Sequence, residues 1–163
     1  MIKENYKKIL LYSIIISVIF LTDRISKLYV IELAGAENIV DVYLNQYLNI
    51  YLIWNKGIAF GLFSFNEVIV YNIITLIIAS ITLIVLAMAA KSKRFKRYYL
   101  LVVFAGSTGN LFDRIYYSAV PDFIDFHIKG FHWFVFNIAD IFITLGIICL
   151  IFDEIFINNK KNV

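Results

Sequence analysis

Charge is scarce in this chain. Only 17% of its 163 residues are Asp, Glu, Lys or Arg, against 61% hydrophobic ones. So few polar side chains cannot cover the surface of a water-soluble domain, which excludes that class and leaves a polytopic membrane protein. Cysteine occurs once, at Cys149 inside an apolar run, so there is no intrachain disulfide and no cysteine cluster for a metal. Proline also occurs once, at Pro121, so no other position carries its helix-breaking ring. The two histidines, His127 and His132, match no compact ligand motif. There is no His-Glu-x-x-His and no Gly-x-Ser-x-Gly, so the usual zinc-peptidase and serine-hydrolase signatures are missing. A formal charge of +3 gives no reason to expect a nucleic-acid partner. Internal repeats, low-complexity tracts and linkers are absent too, which favours a single domain over 1–163.

What is present is hydrocarbon-soluble, with a mean hydropathy of +0.80. Lys3, Lys7 and Lys8 precede an apolar run from Ile9, which resembles the start of a signal peptide. No small-residue cleavage site follows, so an uncleaved first span over 9–29 is expected. Val68 to Ala90 is uncharged and predicts a second span at 68–90. A third is expected over 98–115, ending in polar residues, and a fourth over 137–156. Outer loops then cover 30–66 and 116–136. Within the first, Val40 to Trp54 is rich in β-branched and aromatic residues with partial alternation, so short strands at the membrane surface are expected. Asn55-Lys56-Gly57-Ile58-Ala59-Phe60-Gly61 breaks that pattern as a shaped loop. The amino terminus, the loop after the second span and the tail hold ten of the fifteen basic residues. In a four-span layout these regions share one side, so both termini are expected in the cytoplasm and the two longer loops outside.

Against this background the polar residues near the spans call for a functional reading. Asp23 and Lys27 are one helical turn apart and can pair. Asn110, Asp113 and Arg114 share one side of the third span's outer end. Asp113 and Arg114 could simply satisfy each other, although Arg114 also offers a planar fork for a carbonyl or phosphate-like group. Pro121 disfavours helix at Val120, so Asp122 is expected on an extended or turn segment. Asp140 follows Asn137 by three residues and precedes Thr144 by four, a polar stripe on the fourth helix. If the loop between them closes, Asp122 and Asp140 meet and share a proton near neutrality, the arrangement an aspartyl protease uses. His127 and His132 could form a metal site with Asp122 and Asp125, but their spacing matches no compact ligand motif and the two histidines read as interfacial side chains. A small transporter or channel that uses the acids as an ion or proton pathway is the main competing reading. A structural subunit contacting a partner through the small residues Gly106 to Gly109 is another.

With these residues assembled, the chain resembles the lipoprotein signal peptidase family (signal peptidase II), bacterial inner-membrane aspartyl peptidases. The resemblance rests on Asp23 with Lys27, Asn55-x-Gly57-x-Ala59-Phe60-Gly61, Gly109-Asn110 with Asp113-Arg114, Val120-x-Asp122-Phe123, and Phe136-Asn137-x-Ala139-Asp140. It implies four transmembrane helices with a small β-cradle, residues 38–64, and a loop on the outer face. It makes Asp122 and Asp140 the catalytic pair, and Asn55, Asn110, Arg114, Asn137 and Ala139 the residues lining the substrate site. Asp23, Lys27, Gly57 and Asp113 take supporting roles. No metal and no cofactor is implied. The implied substrate is a diacylglyceryl-modified prolipoprotein, cut before the lipidated cysteine by a monomer in contact with membrane lipid, at the outer-leaflet interface. Arg24, Ser107-Thr108 and Pro121 depart from the family's usual residues without removing a catalytic group.

Overall fold

With neither glycine nor proline before Gly35, the amino-terminal run continues as one helix, α1 (Ile2–Ala34), which stops where Gly35 turns left-handed at φ +56°. The computed structural model describes residues 2–35, 39–57 and 68–158. Ala59, Phe60 and Gly61 lie outside them. After α1 come β1 (Asp41–Asn45), β2 (Leu48–Asn55), α2 (Val68–Lys91), α3 (Arg94–Tyr117), β3 (Val120–Ile128), β4 (Phe131–Phe136) and α4 (Ile138–Phe152). A π-helical stretch, Asp153–Asn158, follows directly. By length and composition α1 (over Tyr6–Ala34) and α2 can cross a bilayer.

The helices face outward with hydrocarbon and inward with polarity. Ile14, Val18 and Leu21 on α1, and Ile73, Ile77, Ile81 and Ile84 on α2, are exposed, while Asp23, Lys27, Asp113 and Arg114 are buried. That inversion of the soluble pattern is what an apolar solvent selects. α3 packs against α1, α2 and α4. Close approach of α3 and α4 depends on bare backbone. A Cβ on Gly106 would lie 2.7 Å from the Ala139 carbonyl oxygen, and one on Gly146 would lie 2.6 Å from Val103.

Two positions depart from the sequence reading. Residues 116–136 do not form a loop: β3 and β4 lie there and complete an antiparallel sheet of order β1-β2-β3-β4. The cradle is therefore not confined to 38–64, where strands cover only 41–55 among the described residues. Composition conceals this because β3 draws its edge from β2, some seventy residues earlier, in a register pairing Ile53 with Asp122 and Trp54 with Pro121. Pro121 is tolerated because β4 begins its pairing only at Ile124. Val30, Ala34, Val40, Leu52 and Phe123 pack the sheet onto the end of α1. The opposite end is closed by Ala89, Leu100 and Leu101 with Tyr12 and Ile16. There the Arg97 guanidinium donates to Tyr12 Oη at 3.0 Å and Lys96 pairs with Glu154 at 3.2 Å.

Candidate active site

The first turn of α4 sets the geometry. Asn137 caps the helix, its Oδ1 accepting from Asp140 N at 3.0 Å, while Asp140 Oδ2 accepts from Asn137 N at 3.2 Å. This reciprocal capping box fixes the flip of the Asn137 amide. Its Nδ2 therefore points away from the helix and donates to Asp122 Oδ1 at 2.6 Å. Asn55, at the end of β2, is held in the same way. Gly57 N donates to Asn55 Oδ1 at 2.8 Å, which turns Asn55 Nδ2 onto Asp122 Oδ2, also at 2.8 Å. Both oxygens of Asp122 thus accept from amides whose orientation is fixed elsewhere.

Asp140 is held by a third asparagine. Asn110 Nδ2 donates to Asp140 Oδ1 at 2.8 Å, and Asn110 Oδ1 accepts from Lys27 Nζ at 2.8 Å. Lys27 is fully buried and spends its other two protons on Asp23 Oδ2 at 2.8 Å and Asp113 Oδ2 at 2.7 Å. Asp23 Oδ1 accepts from Ala139 N at 2.9 Å, and Arg24 pairs with the other oxygen of Asp113. Two cations and two carboxylates therefore form a balanced network behind Asn110, each charge carrying a partner. Asp113 and Arg114 do not satisfy each other as the sequence allowed. Adjacent helical residues point in different directions, and Arg114 instead donates to the Gly57 carbonyl and lies over the Tyr71 ring. Its Nη1 is buried with no hydrogen-bond partner among the described residues.

Asp122 and Asp140 open onto one cavity of about 310 Å³, which Asn55, Asn110, Arg114 and Ser107 also line. Its other wall is apolar, with Ile78 from α2 and Ile143 and Ile147 from α4. Burial, and then the nearby Asp140 charge, push the Asp122 carboxyl up to about 7. The amides of Asn55 and Asn137 oppose that rise without cancelling it. Near neutral pH the pair thus offers both a proton donor and an acceptor, with Arg114, whose Nη1 is unpartnered among the described residues, lining the same cavity.

Of the residues singled out from sequence, Asn55, Asn110, Arg114, Asp122 and Asp140 meet around this cavity. Asn137 and Ala139 are completely buried behind its wall, where Asn137 holds both Asp122 and Asp140 while the Ala139 amide donates to Asp23. Asp23, Lys27 and Asp113 form the network under Asn110, and Gly57 joins Asn55 to Arg114. Sequence reasoning passed over Tyr71, whose hydroxyl donates to the Arg114 carbonyl at 3.1 Å; an isolated tyrosine in an uncharged span was the available signal. It also passed over the pairing of Arg24 with Asp113, 89 residues apart, which no local spacing encodes. His127 and His132 do not approach the cavity's polar cluster. They gather around Asp125, which strand alternation sends to the opposite face of β3 from Asp122.

A family model described as "Signal peptidase (SPase) II" matches residues 15–156. The lipoprotein signal peptidase of Pelagibacter ubique is 52% identical over 98% of this chain and 96% of its own length. That of Anaplasma phagocytophilum is 38% identical over 91% and 94%. Among solved structures, a bacterial membrane enzyme determined by the in meso method at 2.3 Å resolution superposes with a TM-score of 0.72. It is 27% identical and covers 93% of this chain and 91% of its own.

Proposed function

The chain belongs to the signal peptidase II family, an aspartic peptidase of the bacterial membrane, and from that premise we propose that Asp122 and Asp140 together cut diacylglyceryl-modified prolipoproteins before the lipidated cysteine. The observation that carries this reading is their common cavity, with Asn137 bonded to both acids. The ionised member of the pair takes a proton from a water molecule, whose oxygen attacks the scissile carbonyl carbon. The protonated member donates to the carbonyl oxygen, giving a tetrahedral diol. As the C–N bond breaks, the carboxyl that took the water proton gives it to the leaving amine, while the other takes a proton from a diol hydroxyl, which becomes the new carboxyl carbonyl. Both carboxyls end the cycle as they began it. Arg114 Nη1 receives a peptide carbonyl and orients the bond, while the isoleucine wall takes the acyl chains.

All four helices cross the membrane in this reading, over spans close to 9–29, 68–90, 98–115 and 137–156, with both termini cytoplasmic and the sheet on the outer face. Support comes from the bundle itself. The amino-terminal part of α1, the turn between α2 and α3 and the π-helical stretch meet at one end through Arg97, Tyr12, Lys96 and Glu154, and that end carries the basic loop. The cavity and sheet occupy the other, where a diacylglyceryl group holds a substrate cysteine at the outer interface. Anchoring of that kind supplies orientation, so the two acids need only activate water. The enzyme acts as a monomer.

Incubating the purified protein in detergent with a diacylglyceryl-modified prolipoprotein peptide, and with the same peptide unlipidated, tests the reading. Mass spectrometry is expected to find one cut, directly before the modified cysteine, in the lipidated peptide alone. Cutting elsewhere, or equal cutting of both peptides, would contradict it; no cutting at all favours the ion-pathway alternative.

A further inference from the structure

Both histidines of the chain meet one carboxylate on the sheet face turned away from the catalytic pair. His127 and His132 are cross-strand partners on β3 and β4, and Asp125 lies two residues before His127 on the same side of β3. His132 Nδ1 is 2.7 Å from Asp125 Oδ2, and His127 Nδ1 is 3.5 Å from that same oxygen. One ligand atom from each of the three side chains lies within 4.8 Å of the other two. A tetrahedral divalent ion with nitrogen and oxygen ligands near 2.1 Å sets them about 3.4 Å apart. Small rotations reach that spacing, and His132, whose side chain is 57% exposed, is free to make them.

Unmet polar atoms point the same way. Asp125 is 1% exposed, yet its Oδ1 has no hydrogen-bond partner among the described residues. Nδ1 of buried His127 has none either, nor has Oδ1 of Asn49, the β2 residue in register with Asp125. No lysine or arginine pairs with Asp125 among the described residues. Buried polar atoms are seldom left unmatched in a folded protein. A cation between the two imidazoles and the carboxylate would satisfy Asp125 and His127 at once. Alongside lies an open cavity lined by Gln46, Asn49 and Lys129, roomy enough for a fourth ligand. We propose that Asp125, His127 and His132 bind one divalent transition-metal ion of the zinc type, the fourth position being filled by water or by Asn49 Oδ1. Two imidazoles with one carboxylate favour such an ion over magnesium or calcium, which prefer oxygen alone. The ion would clasp β3 to β4 near their connecting turn, on the strand that carries Asp122.

The test uses the full-length protein in detergent, free of any histidine tag, stripped with chelator and titrated with zinc chloride by calorimetry. Cobalt chloride, followed by its visible absorption, reports ligand type. One equivalent should bind with a micromolar or tighter dissociation constant. Replacing His127 or His132 by Ala should weaken binding by at least about tenfold, and Asp125→Asn likewise. Cys149→Ser should leave it unchanged, which excludes the only thiol. Since His132 is solvent-exposed, its replacement also guards against loss of fold. No saturable binding by the wild-type protein, or binding that survives His132→Ala, would overturn the site. The readout is independent of peptide cleavage, so neither result bears on the proposed activity.

Discussion

Three asparagines govern the two acids. Each of Asn55, Asn110 and Asn137 has its carbonyl oxygen occupied by a fixed donor, so each must turn its NH₂ toward a carboxyl. With its pKa near 7, Asp122 is expected to set the alkaline limb of a bell-shaped profile of kcat/KM against pH, with activity falling above about pH 7. The same shift has a sign in stability. A carboxyl at about 7 when folded and near 3.8 when unfolded binds more proton in the folded state between those values. Stability from this group is therefore present at low pH and lost as pH rises toward 7, by a few kcal/mol at most. Denaturation followed from pH 5 to pH 8 should show a smaller loss in Asp122→Asn than in the wild type. Removing Lys27 acts more harshly, because Lys27→Met leaves Asp23 without a cation and Asn110 without its donor. About 3–5 kcal/mol of destabilisation is expected, measurable by thermal denaturation in detergent. Arg114→Lys keeps the charge and loses the fork, and should lower kcat/KM by about tenfold or more in a peptide assay.

At the scale of elements, the contact between α3 and α4 carries the site. A Cβ on Gly109 would lie 2.6 Å from Asp23 Oδ2, and one on Gly106 would meet the backbone of α4. Gly106→Ala should cost about 1–3 kcal/mol and lower activity with it, since α4 positions both Asn137 and Asp140. Thermal denaturation of this variant beside Gly130→Ala, where a Cβ meets nothing and only the turn is strained, separates packing from conformation. How much was legible beforehand follows from range. A helical chain with a small antiparallel sheet can be read from apolar runs and β-branched stretches, and the contact of Asp23 with Lys27 follows from one turn of helix. Residues 116–136 were harder, because a strand made of acids, histidines and aromatics is recognisable only once β2 lies beside it. The clustering of Asp125, His127 and His132 needs the hairpin as well, with His127 opposite His132 in a register shifted by a bulge.

At the scale of the whole molecule, the surface is apolar around the bundle and the polar interior is gathered toward one end, the combination a peptidase acting at an interface requires. The proposed topology can be tested by labelling. With Cys149→Ser as background, a cysteine at position 93 should react with an impermeant maleimide only when the cytoplasmic side is opened, and one at position 129 should react from outside in intact cells. The two acids concentrate the rest of the account. Purified wild-type, Asp122→Asn and Asp140→Asn proteins, each shown to be folded, are to be compared for cleavage of one diacylglyceryl-modified peptide. Both variants are expected to lose cleavage by at least about a thousandfold, while near-wild-type turnover by either one would contradict a shared two-carboxyl mechanism.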